Sequence, residues 1–537
     1  MKTSRRRQTA AAIVGAAIGP CLWSQSVHAQ QADASAAITP AIGLQEVVVT
    51  AEKRTQNLQE VPASLTAFTS AELGQIKMDT PSDLVSHVPN LQANGIVGEG
   101  APLYALRGVS MLDYSLSQEG PIAVYVDQVY EGNIALMGVD MFDLERIEVL
   151  RGPQGTLYGK NATGGAINFI TRRPQFHNEG YFTLGAGNYG RQEANGALNG
   201  VLIQDKLAAR LALTYTKVNG FVHNILPGHP DLEGVNQYGV RLSLLYTPTD
   251  DLQLVLRYAK SMQDPQNYAI MDGCVTPPIA AGCAPGGVGF VGYYRTTTGA
   301  LSGTPLAADQ IAQNYTPKRR QDNQSVSLTA DWKMSPALTL TSISSWSEGF
   351  LFNPEGTDGA PIGIFKIPYY GTTRQATQEL RLTSSGTGPF NFIAGLFYQH
   401  EFVYNSTENQ FYNDPSLNVF GDYRDCVANS FGPGVGYAAG FLINGGCRYY
   451  NHFDQLSNSW AAYSDASYRV TRKVKLRAGV RYNHDNGSQK NAVAQLRGSD
   501  GIPIANLIPG GMVNGVWTPV EALPGSPNYD SVINATT

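Results

Sequence analysis

From Tyr181 onward the chain alternates apolar and polar residues with a period of two, and that pattern admits few folds. Val474, Leu476, Ala478, Val480 and Tyr482 take one face, while Lys475, Arg477, Gly479, Arg481 and Asn483 take the other. Leu252 to Tyr258 and Val326 to Trp332 repeat the arrangement. A soluble sandwich also alternates. Aromatic residues closing the apolar face, at Tyr258, Trp332 and Tyr482, favour strands that cross a membrane with an interfacial girdle. Segments of about ten residues match a tilted strand spanning hydrocarbon.

About eleven such segments are expected, near 181–187, 191–203, 207–217, 238–247, 251–260, 323–333, 337–348, 373–383, 390–401, 459–469 and 473–483. Short connections (204–206, 248–250, 334–336, 384–389, 470–472) alternate with long ones (218–237, 261–322, 349–372, 402–458, and the stretch after 483). Tight periplasmic turns and long external loops produce this rhythm in outer-membrane barrels. The expected fold class is therefore mainly β, a transmembrane antiparallel barrel with a small α+β N-terminal domain. Bacterial single-chain barrels have even strand numbers. Eleven strands, ending in a Gly/Pro-rich stretch, read as an N-terminal portion with an unclosed sheet edge.

The first residues follow the grammar of an export signal. Lys2 and Arg5-Arg6-Arg7 are basic, Ala10 to Leu22 is apolar, and Val27-His28-Ala29 offers a cleavage site after Ala29. The apolar run is too short to span a bilayer as a helix. The expected domains are a signal peptide at 1–29, a linker with an extended box at 30–60, a glycine-punctuated domain at 61–174 and the partial barrel at 178–537. A net charge of −5 with no basic stripe leaves no electrostatic footprint for nucleic acid. Setting Cys21 aside, Cys274, Cys283, Cys426 and Cys447 fall in two long external loops. The expected disulfides, 274–283 and 426–447, close the shortest loops in an oxidising compartment. A zinc site is the rival, but no CxxC spacing exists and the His are scattered.

The 61–174 block is expected to hold a short helix at 82–88 and extended runs at 63–69, 122–126 and 147–150. Its densest segment runs from Arg146 to Thr171 with glycines at 152, 155, 159, 164 and 165. Gly159-Lys160 hints at a phosphate-cradling loop, but Gln154 and Asn161 stand where such a loop needs Gly and Ser or Thr. No Ser, His and carboxylate set assembles, and no enzyme, cofactor or metal is expected.

These residues resemble the TonB-dependent outer-membrane receptors. Leu44-Gln45-Glu46-Val47-Val48-Val49-Thr50-Ala51 is similar to their TonB box, with Glu46, Val47, Val48, Val49 and Thr50 as its centre. Val61-Pro62-Ala63-Ser64, Asp83-Leu84-Val85, Pro89-Asn90-Leu91, Leu106-Arg107-Gly108 and 151–171 resemble successive plug motifs. Gln378-Glu379-Leu380-Arg381-Leu382 resembles a recurrent barrel strand. The resemblance implies a 22-stranded barrel occluded by the plug, in a Gram-negative outer membrane. It also implies TonB as the energy-coupling partner and import of a scarce ligand, a ferric siderophore first. A latch of Arg107 and Arg151 to barrel carboxylates is implied too, with Glu379 as the candidate partner. The protein is expected to be a monomer surrounded by outer-membrane lipid. A passive porin-like barrel, an adhesin, or an importer of a non-iron organic nutrient are the alternatives. Aromatic pairs Tyr293-Tyr294, Tyr369-Tyr370, Phe411-Tyr412 and Tyr449-Tyr450 offer stacking surfaces. They serve equally as packing residues, and the ligand contacts stay unassigned.

Overall fold

The computed structural model describes residues 47–76, 81–94, 102–137, 142–270, 309–356, 365–386, 388–411, 447–471, 473–498, 503–513 and 516–522. One large antiparallel sheet dominates, each strand pairing with its neighbours in sequence. Its strands are Glu179–Gly187, Arg191–Ile203, Leu207–Val218, Val235–Thr249, Leu252–Gln263, Arg320–Ser335, Leu338–Glu355, Phe365–Ser384, Phe390–Phe411, Cys447–Arg469, Lys475–Gly498, Pro503–Val513 and Val516–Ala522. The first eleven coincide with the alternating segments. The last two continue the sheet through the stretch that reads as a Gly/Pro-rich loop.

Several strands run much further toward the external side than alternation alone marks. Phe390–Phe411 spans 22 residues, Cys447–Arg469 spans 23 and Lys475–Gly498 spans 24. Tyr369, Tyr370, Tyr449 and Tyr450 consequently lie within strands and not in loops. Tyr293, Tyr294 and Tyr412 are outside the described residues.

The faces of the sheet are inverted relative to a soluble fold. Leu380, Leu396, Leu328 and Val480 point outward and are exposed. Arg210, Arg241, Glu379, Gln399 and Glu401 point inward and are buried. Outward aromatics form two tiers. Phe390 pairs with Tyr468 across two strands, and Tyr398 pairs with Trp460 eight residues further along the same strands. Eight residues at about 3.3 Å each, tilted by about 40°, give a height near 20 Å. That matches the apolar band of an outer membrane, so the tiers are its two interfacial girdles.

Inside sits a five-stranded mixed sheet in the order Ser64–Thr69, Leu144–Arg151, Gly165–Thr171, Ile122–Val126 and Val129–Tyr130. Ile147, Val149, Ile167 and Phe169 alternate onto one face and are nearly fully buried against Leu84 and Leu106. The expected helix at 82–88 is a 3-10 turn, Pro81–Ser86. An α-helix at Ser70–Ile76 follows the first plug strand. Thr69 and Glu72 hold its start reciprocally: Thr69 N and Oγ1 donate to Glu72 Oε2 at 2.7 and 2.8 Å, and Glu72 N donates to Thr69 Oγ1 at 3.4 Å.

Candidate functional site

Of the extended box, Val47 to Thr50 are described and Glu46 is not. Val48–Val49 forms a two-residue strand antiparallel to Gln56–Asn57, and Leu58 N donates to Val47 O at 2.9 Å. β-branched side chains favour that backbone. Val49 is buried in the plug core, whereas Val48 is 45% exposed. Thr50 ends the strand: its N–H and hydroxyl both donate to Glu148 Oε1, at 2.7 and 3.1 Å. Glu148 is itself buried and takes Arg146 Nε at 2.8 Å. The box is thereby fastened to the plug strand Leu144–Arg151.

The next residues fasten it to the barrel wall. Lys53 Nζ donates to both carboxylate oxygens of Glu379 at 2.9 Å, within a cage of Tyr125, Tyr158 and Tyr463 rings. Tyr463 donates to Glu379 Oε1 at 2.5 Å and Arg381 Nη1 donates at 3.0 Å. Glu52 pairs with Arg477, whose Nε also reaches both oxygens of Asp465 at 2.9 Å. Burial lowers the Lys53 ammonium from its ordinary value to about 8, against the pull of Glu379 in the other direction.

The latch expected of Arg107 and Arg151 differs from this arrangement. Arg107 is exposed in a left-handed turn (φ 53°), and Arg151 Nε has no hydrogen-bond partner. Neither forms an ion pair among the described residues. Glu379 is instead saturated by Lys53, Arg381 and Tyr463. The reason is reach: Lys53 follows the box by three residues and arrives at the wall with it, while Arg107 and Arg151 end elsewhere on the plug. Sequence reasoning passed over Lys53, Glu52, Tyr463 and Arg477. One available signal was Glu379-x-Arg381, an acid and a base on the same strand face.

Further seams join plug and wall. Arg210 holds Asp143 through Nε and Nη2, both at 2.7 Å, and Arg257 sits 3.2 Å from Asp127. Leu116 N donates to Tyr369 Oη at 2.5 Å, and Tyr369 donates to Asn405 at 2.6 Å. Gly159 (φ 82°) lets the plug approach the wall so closely that a Cβ there would lie 2.8 Å from Arg481 Nη2. Cys274, Cys283 and Cys426 lie outside the described residues, and Cys447 begins a strand, so the disulfides are not placed. His223 meets Asp231, His229 meets Thr316, and no group of metal-ligating side chains occurs among the described residues.

An α+β plug seated inside a sheet that is apolar outside and polar inside defines a plugged outer-membrane barrel. The family description "TonB-dependent Receptor Plug Domain" matches residues 57–166. Residues 57–166 are thus a TonB-dependent receptor plug domain, and the chain, whose fold is that of the plugged outer-membrane receptors, resides in the outer membrane. It is 24% identical to the pesticin receptor of Yersinia pestis over 82% of its own length and 56% of that protein's. It is 31% identical to a vitamin B12 transporter of Vibrio vulnificus over 28% of its length and 24% of that protein's. Its fold matches the crystal structure of the ferric yersiniabactin uptake receptor from Yersinia pestis with a TM-score of 0.60 and 18% identity. That match covers 86% of this chain and 60% of the other. The chain thus spans about half the length of the curated relatives it matches. These relatives are receptors and transporters by name, and the junction described above contains no catalytic constellation.

Proposed function

We propose that this protein is an energy-coupled importer that takes a ferric siderophore at its external face and passes it to the periplasm by remodelling the plug. The observation that carries this reading is the continuity of the box with its two anchors. Val47–Thr50 holds the two-residue strand Val48–Val49 with Val48 exposed, and within three residues of Thr50 come Glu52 and Lys53, which hold the barrel wall. A sheet edge of TonB can capture such a segment by strand addition. Traction on it then acts directly on the Lys53–Glu379 and Glu52–Arg477 pairs and on the plug strand bearing Glu148. The outer membrane has no nucleotide supply of its own, so a mechanical link of this kind is the available route for energy.

A ferric chelate is favoured as ligand because the resemblance to the ferric yersiniabactin receptor extends over most of the chain, whereas that to the vitamin B12 transporter covers about a quarter. Ion pairs join the plug to the wall at several seams, which weighs against a passive porin. The test is Val48→Pro in the full-length protein in its host. Pro removes a backbone donor from the added strand. The expected result is loss of uptake with ligand binding unchanged, and normal uptake by the variant would refute active import. Uptake assays with ferric siderophores and with cobalamin then separate the two ligand classes.

A further inference from the structure

Glu401 lies on the lumen face of the Phe390–Phe411 strand, three residues to the external side of the girdle residue Tyr398, and is 3% exposed. Its Oε1 has no hydrogen-bond partner, and neither has Oε1 of Gln399, two residues away on the same face. Two buried acceptors on one face with no donor form a costly arrangement. Gln399 cannot relieve it, because its amide is already engaged: Nε2 donates to Gln375 Oε1 at 3.2 Å and approaches Glu119 Oε1 at 3.5 Å.

The charges around Glu401 deepen the problem. From the plug, Glu119, Lys160 and the Tyr130 phenol face it, and the Asn133 carboxamide bonds to it. From the wall, its cross-strand neighbours are the neutral Gln375 and Ser457. The one cation in this set is committed elsewhere: Lys160 Nζ pairs with Glu119 Oε2 at 3.0 Å, and Asn161 donates to the same oxygen. A second carboxylate charge beside Glu119 would have no counter-ion in a buried site. A metal does not supply it either, since no ligand group of three or more is found among the described residues.

We propose that Glu401 carries a proton while the plug is seated, so that the junction holds one neutral carboxylic acid beside one Glu119–Lys160 ion pair. Protonated, Glu401 carries one O–H donor among these acceptors and no longer a bare buried charge. Withdrawal of the Glu119 loop from the wall hydrates Glu401, and the proton passes to water as the carboxylate forms. The seated state then binds one proton more than the displaced state, and the junction weakens as pH rises above the ordinary glutamate range. This concerns the plug–wall contact itself and does not depend on what draws the plug or on which ligand is carried.

The experiment uses the full chain in lipid bilayers. Infrared difference spectra across pH follow the carbonyl stretch of a protonated carboxyl. In parallel, a nitroxide on exposed Ser86 reports unseating of the plug in urea. The unseating constant is expected to rise by up to about tenfold per pH unit from the ordinary glutamate range up to the pH at which the carboxyl band disappears, and to level off above it. E401Q, which keeps a donor at this position, should lack the band and lose the pH slope. E119Q removes the like charge, so the band should vanish at lower pH than in the unsubstituted protein. Retention of band and slope in E401Q would overturn the proposal. If that variant does not fold, an unmoved midpoint in E119Q does the same.

Discussion

At the scale of single residues, Glu379 and Lys53 concentrate the consequences of the fold. Glu379 receives three donors, and one of them comes from the segment that follows the box. Loss of a hydrogen bond to a charged group costs about 1.5–3 kcal/mol, which corresponds to roughly tenfold to a hundredfold in a local opening constant. Lys53→Gln should therefore accelerate amide hydrogen exchange at Val48 to Leu58 by about that factor while leaving exchange in Ile147 to Leu150 unchanged. Equal rates in variant and parent would show that the pair does not hold the box. Lys53 also sets a pH dependence opposite in sign to that of Glu401. Its docked ammonium titrates near 8 instead of 10.5, so the released state binds more protons between those values. Docking of the box should strengthen as pH rises through that window. A nitroxide at Val47 should become less mobile, and Lys53→Gln should remove the change.

At the scale of elements, the plug strands and the sheet differ in what specifies them. The run Ile122–Val126 is apolar throughout, because both its faces are covered, and it was legible for that reason. The Ser70–Ile76 helix was marked by Thr69-x-x-Glu72, a reciprocal cap that needs no tertiary partner. It is a signal that alternation-based reading passes over. Gly165 shows the opposite case. Its φ of 155° and the close approach of Leu150 O to the place a Cβ would take arise only when the two strands are brought together. Gly165→Ala should destabilise the plug by about 1–3 kcal/mol through strain at that contact. Urea unfolding of the plug, followed by the nitroxide at Ser86, measures it; an unshifted midpoint would mean the strands can part without cost.

At the scale of the whole molecule, the two aromatic tiers fix where the bilayer must sit, and they predict different tolerances above and between them. Leu396 is outward and 59% exposed between the tiers. Leu396→Arg should cost about 2–4 kcal/mol in refolding into lipid bilayers, the range for a cation near the midplane of a barrel's lipid face. His400, on the same outward face but beyond Tyr398, should accept Arg at less than about 1 kcal/mol. Equal costs at the two positions would displace the bilayer from the tiers. Above them the strands continue, and there the outer face meets water and headgroups instead of hydrocarbon. Alternation weakens where lipid no longer enforces it, so the external ends of Phe390–Phe411 and Cys447–Arg469 were hidden in the sequence.

What the sequence by itself determined is the class of architecture: strands of period two with alternating connection lengths, a glycine-punctuated block before them, and a valine-rich box before that block. Each is a local pattern imposed by one environment, whether lipid on one face, tight turns, or an extended backbone. Only the tertiary structure decided the pairings, because a charge pair depends on distance and not on spacing in the chain. Lys53 lies 326 positions from Glu379, and Glu52 lies 425 from Arg477, yet seating the plug brings both pairs into contact. The same seating leaves Arg107 at the surface and sets Glu119 beside Glu401. Once desolvated, buried charges must be matched by whatever groups the closed wall presents, and that matching is a property of the assembled fold.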